Sequence, residues 1–325
     1  TGISDVYLGE THVMGGIGVS VYAPEGGHVG ATPWDGEVLE PPTVEKLPNG
    51  ILVRTHARFP PVTGTYLEFK GVYKIFNTGM IIANITITAY GDTEVGAVYF
   101  IIQLPINEYK GENIYMVYSD TIGITLPQDF HGSSIASGTY SIAYFPISEE
   151  HAVFGELVLG ALEPAVLSYE LIDTRGEGGS AYEIRTTLGS GCVTKGTTMK
   201  ISLMLYLHTR GREFTELIVD TFNSLGVAKS MIEEILEKGI RTPGAKKLLT
   251  QFEEEVKGAY KVYSQGDIEG AHAHALKALK IAQQIESTEL QQRILFFMMI
   301  PGVIGLVIML LLAWSAIQKV KKISS

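Results

Sequence analysis

The sequence predicts a mainly β protein in which a large antiparallel β-sandwich precedes a helical segment. Residues 1–222 contain apolar runs of about five to ten residues, separated by turn residues and lacking a helical period. After Thr209 the apolar residues recur at intervals of three and four. Residues 294–317 then form a run without any charged side chain. These three patterns predict a β-rich ectodomain, a helical stalk and a transmembrane helix, in that order.

The clearest strand is Met80–Tyr90, in which apolar residues such as Ile85 alternate with polar residues such as Asn84. An alternation of period two is typical of a strand with one buried face. Tyr66–Phe76 alternates in the same way and is the predicted hairpin partner. Val95–Leu104 is apolar on both faces, so we expect a central strand that is covered on both sides.

Further strands follow by the same criteria, and so many strands without intervening helices indicate packed antiparallel sheets. One large sandwich is the first interpretation, and two smaller sandwiches divided near residues 127–138 are the second. The segment Glu25–Pro61 is rich in proline and glycine, which favours an irregular loop. The remaining predicted strands are Ile114–Tyr118, Thr139–Phe145, Ala152–Leu159, Val166–Ile172, Ala181–Thr187 and Met199–His208.

The helical segment begins with two short helices, predicted at Arg212–Asn223 and Val227–Lys238. Thr242 followed by Pro243 then has the pattern of a helix start. Beyond it, apolar residues and alanines recur with coiled-coil spacing on both sides of a turn near Gly266, which predicts an antiparallel helical hairpin. The predicted division is 1–222 for the β-sandwich ectodomain, 223–241 for a helical linker, 242–293 for the hairpin stalk, 294–317 for the transmembrane helix and 318–325 for the cytoplasmic tail.

The uncharged run is long enough to cross a membrane, because a helix over it would measure about 36 Å against a hydrocarbon core of about 30 Å. Trp314 lies where an indole suits the headgroup layer, and lysines follow the run. The positive-inside rule places these lysines in the cytoplasm and the N-terminal part outside the cell. Because the chain begins at Thr1 without an apolar leader, we expect that a signal peptide was removed; the alternative is a numbering that starts within a longer chain. The predicted membrane anchor comprises Ile294, Trp314, Ile317, Lys319, Lys321 and Lys322.

The composition narrows the class of protein. A formal net charge of -10 argues against nucleic acid as a partner. Cys192 is the single cysteine, whereas a secreted domain held by disulfides would carry an even set. The hydrophobic core must therefore stabilise the ectodomain. An ectodomain without disulfides and rich in β-branched residues favours a prokaryotic, and specifically an archaeal, envelope protein.

No motif predicts catalysis, a metal site or a cofactor site. Asp129, His131 and Ser133 share one loop, but residues so close in sequence rarely adopt triad geometry. His28 and His56 are candidates for a ligand pocket, although either is more often a surface residue. We therefore predict a protein that is not an enzyme and that needs no cofactor.

One candidate modification site is present. Asn84-Ile85-Thr86 is a sequon for N-glycosylation, and the alternation of its strand places Asn84 on the polar face. Asn84 is thus the predicted glycosylation site. The alternative is an unused sequon, because a strand is a poorer acceptor than a loop.

The order of segments resembles that of the membrane-anchoring subunits of archaeal surface layers, which stand on the membrane and hold up an outer lattice. This resemblance is architectural and rests on residues 242–325. It implies a non-enzymatic scaffold at the cell surface. Separately, a strand-rich domain of this size is similar to the large sandwiches of sugar-binding and mutarotase-like proteins, from which no residue can be carried over.

Three functions from different classes follow. The first is a membrane-anchored scaffold whose partners are the lipid bilayer, other envelope proteins or further copies of itself. The second is an accessory subunit of a membrane complex, in which Gly302 and Gly305 would pack against other spans. The third is a carbohydrate-binding or carbohydrate-active ectodomain, with Trp34 and the tyrosine-rich strands lining a cleft for a glycan.

Overall fold

Two antiparallel β-sheets that face each other make up the larger part of the chain. The computed structural model describes residues 3–31, 37–59, 65–118, 120–149, 152–239, 242–263, 265 and 267–291. Within these residues, one sheet has seven strands and the other has nine.

The seven-stranded sheet takes its strands from both early and late parts of the β-rich sequence. Its central strands pair with their neighbours in antiparallel register throughout. In spatial order the strands are β1 (Ile3–Leu8), β2 (Thr11–Tyr22), β8 (Thr93–Pro105), β15 (Ala181–Val193), β14 (Leu167–Asp173) and β11 (Ser134–Tyr140), with β3 (His28–Ala31) paired to β2.

The nine-stranded sheet is built in the same interleaved way. In spatial order its strands are β10 (Asp120–Thr125), β9 (Asn113–Tyr118), β12 (Ile142–Glu149), β13 (Ala152–Glu163), β16 (Thr198–His208), β7 (Met80–Ala89), β6 (Leu67–Phe76), β5 (Gly50–Arg58) and β4 (Glu37–Leu47).

A single apolar core lies between the two sheets. The inward residues of β7, such as Ile85 and Ile87, belong to the same buried cluster as Phe100 and Ile102 of β8. Since early and late strands mix in both sheets, the fold is one sandwich, and the alternative of two smaller sandwiches is wrong. The predicted hairpin of β6 and β7 is confirmed.

Two local predictions are wrong for physical reasons. The predicted strand Thr139–Phe145 is divided at Ser141, where the chain passes from the seven-stranded sheet to the nine-stranded one. The predicted loop Glu25–Pro61 contains β3, β4 and β5. Strand β4 accommodates Pro41-Pro42 because it is an edge strand, and its register is irregular between Glu40 and Thr43.

The helices follow the sandwich. A single helix, α2 (Arg212–Glu237), replaces the two predicted short ones and follows the one-turn helix α1 (Ile106–Tyr109) in the chain. Gly226 lies within α2 without interrupting it. A Cβ at this position would lie 2.7 Å from Cβ of Ser141, so the glycine allows α2 to pack closely against the residue between β11 and β12. Helix α3 (Pro243–Tyr263) and a helix over residues 268–291, called α4 here, come next.

Helices α3 and α4 form an antiparallel hairpin with an alanine seam. Thr242 caps α3, since its Oγ1 accepts a hydrogen bond from the Ala245 N–H at 3.0 Å, and it donates to the carboxylate of Glu289 near the far end of α4. Ala275 and Ala278 are fully buried in the seam.

The hairpin does not stand free of the rest of the protein. Ala228 and Ile232 of α2 belong to the same buried cluster as the alanine seam. At the turn between α3 and α4, Tyr263 and Ala271 pack against the outer face of the nine-stranded sheet. The three helices therefore form a layer on this sheet, whereas the sequence predicted a separate stalk.

The predicted membrane anchor, from Ile294 to Lys322, lies outside the described residues. Among the residues that are described, no helix is both long enough and apolar enough to cross a bilayer. Membrane insertion and the resulting topology remain predictions of the sequence.

Candidate functional site

The outer face of the seven-stranded sheet carries a cavity of about 700 Å³. The helical layer lies on the other sheet, so this cavity is on the opposite side of the sandwich. It is large enough for a small organic ligand. Its walls come from β2, β3, β8, β15 and the 3-10 turn Thr174–Glu177. The lining residues are Ser20, Tyr22, Gly26, His28, Ile101, Gln103, Thr174, Glu177, Gly179, Ser180, Ala181, Glu183 and Arg185.

The alternation of the central strands positions the polar groups of the cavity. In β15, Tyr182 and Ile184 point into the core, which turns Glu183 and Arg185 outward. In register, Glu183 lies opposite Gln103 of β8. The outward face of β8 is therefore the floor of the cavity. The prediction that Val95–Leu104 is a central strand is confirmed, since β8 lies between β2 and β15, and its outward Ile101 is 1% exposed although it lines the cavity.

Arg185 is the centre of the site. Its Nε donates to Oε2 of Glu183 at 2.5 Å, and its Nη2 donates to Oε2 of Glu177 at 3.0 Å. The guanidinium carbon lies 5.5 Å from the ring centre of Tyr22 and 5.8 Å from that of Tyr99. These distances are within the range of cation–π attraction. One arginine is thus held between two carboxylates and two aromatic rings.

Burial and charge together set the protonation of this cluster. Burial opposes the charged guanidinium of Arg185, but the carboxylates of Glu183 and Glu177 outweigh it and raise its pKa above the usual value. Burial also raises the pKa of Tyr22, against the opposing effect of Arg185. Arg185 therefore stays charged, as arginines in proteins ordinarily do.

A well-anchored turn presents Glu177. Asp173, fully buried, accepts hydrogen bonds from the backbone N–H and the side chain of Arg175. The Nη1 of Arg175 in turn donates to the carbonyl oxygen of Gln128 at 2.8 Å. The Arg175 guanidinium holds the pKa of the Asp173 carboxyl below its usual value, despite the opposing effect of burial. These hydrogen bonds fix the backbone of the turn that carries the Glu177 side chain.

A second arginine cluster lies on the other sheet, under the start of α2. Arg212 donates to Oε1 of Glu156 at 3.4 Å, to Oε1 of Glu216 at 3.2 Å and to the phenol oxygen of Tyr144 at 2.6 Å. Its guanidinium carbon lies 4.5 Å from the ring centre of Tyr144 and 5.5 Å from that of Tyr115. A cavity of about 400 Å³ adjoins this cluster.

The second cluster continues into the protein as a chain of hydrogen bonds. The Arg210 backbone N–H donates to Nδ1 of His208, so Nε2 carries the proton and donates to Oγ1 of Thr215 at 3.1 Å. The Thr215 hydroxyl donates to Glu156. Burial, helped by Arg210, lowers the pKa of His208 to about 4, and burial raises the pKa of Glu156 although Arg212 opposes this.

The cluster around Arg212 has a structural role, because it attaches the start of α2 to the sheet. Arg212 and Thr215 are on the first turn of α2, and Glu156 is on β13. Glu156 is only 4% exposed, and both its oxygens accept hydrogen bonds from the helix. The cluster thus fixes the start of α2 to the sheet.

The residues that the sequence singled out are scattered over the molecule. His28 lines the cavity around Arg185, with its ring 5.3 Å from that of Tyr22. His56 lies in another cavity of about 290 Å³ on the outer face of the nine-stranded sheet, with its Nε2 2.7 Å from Oε1 of Glu68. Trp34 lies outside the described residues.

Asn84 is exposed on β7, as its alternation predicts. Its Oδ1 accepts a hydrogen bond from the Ser202 hydroxyl at 2.6 Å. Glycosylation of Asn84 itself stays a prediction. Cys192 is exposed and unpaired by disulfide. The described residues contain no cluster of three His, Cys, Asp or Glu side chains suited to a metal ion.

Sequence reasoning missed the central residues of the site, which are Tyr22, Tyr99, Glu183 and Arg185. A usable signal was present in β15, where charged residues alternate with Tyr182, Ile184 and Thr186. The apolar outward residues of β8 were a second signal. Neither pattern discloses that β2, β8 and β15 are neighbours.

No protein-family model and no curated protein matches this chain. Three solved structures illustrate the similarity that structural comparison finds. The 4-alpha-glucanotransferase from Thermococcus litoralis is 9% identical with a TM-score of 0.34, over 59% of this chain and 27% of that one. The alpha-N-acetylgalactosaminidase NagBb from Bifidobacterium bifidum is 10% identical with a TM-score of 0.38, over 76% of this chain and 36% of that one.

A GalM/aldose epimerase homologue from C. elegans is 9% identical with a TM-score of 0.30, over 53% of this chain and 70% of that one. The chain therefore spans about a third or less of the first two proteins. Similarity at this level assigns the chain to no family.

Proposed function

We propose that this chain is a membrane-anchored protein that binds a carbohydrate in the cavity around Arg185. The observation that carries this proposal is the combination of aromatic rings and charged hydrogen-bonding groups in one open cavity of about 700 Å³. A sugar presents apolar C–H patches and many hydroxyl groups. Tyrosine rings suit the former, and carboxylate, amide and hydroxyl side chains suit the latter.

The preorganisation of the site supports binding. Gln103 donates to Oε1 of Glu183 at 3.1 Å, while Arg185 holds the other oxygen of this carboxylate. Groups whose rotamers are fixed by such bonds lose little conformational entropy when a ligand arrives. Arg185, Glu183 and Glu177 are already paired with one another, which favours recognition over acid–base chemistry. We therefore retain the expectation that the protein is not an enzyme.

The test is a glycan-array screen of the full chain in mild detergent, followed by calorimetric titration of the glycans that bind. Glu177→Ala should weaken binding by about tenfold or more, since a hydrogen bond to a charged group contributes about 1.5–3 kcal/mol. The matched control is Glu45→Ala, which removes a carboxylate that pairs with Arg54 on the other sheet. Binding that is equal in both variants would place the ligand elsewhere, and the absence of any bound glycan would refute the proposal.

A positional role is the second candidate, and the packing of the helices favours it. Helix α4 is joined to α2 and α3 by a buried alanine seam, and the sequence predicts the membrane span just beyond it. In this proposal the helical layer holds the sandwich at a fixed height above the bilayer. Inserting two glycines after Gln291 should disturb assembly with envelope partners without changing the melting of the sandwich. Unchanged assembly would contradict this role.

A further inference from the structure

The cavity around Arg185 contains more negative than positive charge. Glu177 and Glu183 contribute two carboxylates, against the single guanidinium of Arg185. Tyr22 and His28 complete the titratable groups among the described lining residues. At pH 8, where imidazole groups are ordinarily neutral, the lining carries a formal charge of minus one.

The guanidinium of Arg185 already donates hydrogen bonds to groups of the protein. Its Nε and Nη2 each donate to a carboxylate, and two tyrosine rings lie beside it. Arg185 is only 8% exposed. An incoming anion would have to compete with Glu177 and Glu183 for this cation. The arginine therefore orders the two carboxylates and is a poor receptor for an acidic ligand.

Glu177 is the carboxylate that a ligand can reach. Its side chain is 48% exposed, whereas the side chain of Glu183 is 6% exposed and accepts from Gln103 as well as Arg185. Arg185 contacts Oε2 of Glu177. A carboxylate accepts hydrogen bonds and donates none. The accessible polar group at the rim of the site thus selects hydrogen-bond donors.

We infer that the site takes a neutral or amino-bearing sugar, with a hydroxyl or ammonium group donating to Glu177, and that it rejects acidic sugars. This inference rests on the proposed carbohydrate-binding function and specifies the class of ligand. A uronic acid or a sulfated sugar would bring a like charge next to two carboxylates, which is unfavourable in a partly enclosed cavity.

The experiment compares three ligand classes on the full chain in mild detergent at pH 8. The probes are glucose-, glucosamine- and glucuronic-acid-containing oligosaccharides that are matched for length and linkage. We expect the acidic member to bind about tenfold or more weakly than the neutral one. Raising the salt concentration should narrow this difference, because salt screens the repulsion.

A variant that removes the charge of Glu177 tests whether this carboxylate causes the discrimination against acidic sugars. Glu177→Gln keeps the size of the side chain and removes one negative charge, so the discrimination against the acidic oligosaccharide should shrink by several-fold. Glu45→Gln on the other sheet is the matched control and should leave the discrimination unchanged. Equal or tighter binding of the acidic oligosaccharide by the native chain would overturn the inference while leaving carbohydrate binding intact. The same preference in Glu177→Gln as in the native chain would also overturn it, whereas no binding of any oligosaccharide would refute the proposed function itself.

Discussion

The two outer faces of the sandwich each hold an arginine between two glutamates and two tyrosines. Arg185 is surrounded by Glu177 and Glu183, and Arg212 by Glu156 and Glu216. The first cluster lines a large cavity on a face without the helical layer, and the second attaches a helix to its sheet.

The difference between the clusters lies in which element supplies their partners. Around Arg185 most of the partners are on strands of one sheet, so the cluster joins no separate layers, and Glu177 remains accessible to a ligand. Around Arg212 the partners Glu156 and Tyr144 are on strands, so their hydrogen bonds with this residue of α2 join two layers. The same set of residue types can thus bind a ligand or stabilise a fold, depending on what covers it.

The largest expected effect is on stability at the covered cluster. Glu156→Ala removes the acceptor of Arg212 and of the fully buried Thr215, so the free energy of unfolding should fall by about 2–4 kcal/mol. Thermal and chemical denaturation of the full chain in detergent measure this change. Glu216→Ala, which breaks only an exposed pair within α2, should cost less than about 1 kcal/mol. Equal losses in the two variants would contradict this structural role of the cluster.

The pH dependence of stability should also originate at the covered cluster. Burial lowers the pKa of His208 to about 4, while an unfolded imidazole titrates near 6.5. Between these values the unfolded state binds more protons, so the free energy of unfolding should decrease as the pH falls from about 6.5 to 4. The decrease should be about 1–3 kcal/mol.

The variant His208→Gln separates this effect from that of the neighbouring carboxyl. Burial raises the pKa of Glu156, which acts in the opposite direction because its native state then holds a proton that the unfolded state releases. Denaturation curves between pH 7 and 4.5 should therefore change less steeply with pH in His208→Gln than in the native chain. An unchanged slope would show that another group controls the acid sensitivity.

A third change tests the helical layer itself. Ala278 is fully buried in the seam between the helices, so Ala278→Leu should overpack it and lower the free energy of unfolding by about 1–3 kcal/mol. Lys277→Leu introduces the same side chain at an exposed position of α4 and serves as the control. The difference in melting temperature between the two variants is the measurement. No difference would mean that the seam is not closely packed.

The smallest effect on stability is expected at the open cluster. Glu177 is about half exposed, so Glu177→Ala should reduce the free energy of unfolding by less than about 1 kcal/mol. The same variant should nevertheless bind the glycan about tenfold or more weakly. Denaturation and titration of one preparation measure both properties. A large loss of stability in Glu177→Ala would remove the distinction between the two clusters.

Local patterns in the sequence predict the elements of this fold well when one face of an element is buried. The alternation in Met80–Ala89 and the seam around Ala275 and Ala278 are both visible in the sequence, because burial imposes the period of the element. The single helix α2 was not predicted, since Gly226 resembles a break in the sequence. In the fold it is a contact point with Ser141, and only tertiary structure discloses that.

The functional site depends on strand order, which local patterns do not contain. Tyr22 and Arg185 come together because β2 and β15 both pair with β8. Likewise, the edge position of β4 explains why Pro41-Pro42 is accepted in a strand. His28 was named as a pocket candidate from its residue type, but its neighbours follow from long-range pairing alone.

The interleaved origin of the cavity has a consequence for the order of folding. Its walls combine β2 and β3 from the start of the chain with β15 near the end of the sandwich. Contacts between such distant segments form slowly, because a large loop must close before they are made. The cavity should therefore be absent from any partly synthesised chain and appear only when the sandwich is complete. A ligand that binds in this cavity would stabilise only the fully folded sandwich, so its binding would indicate that folding is complete.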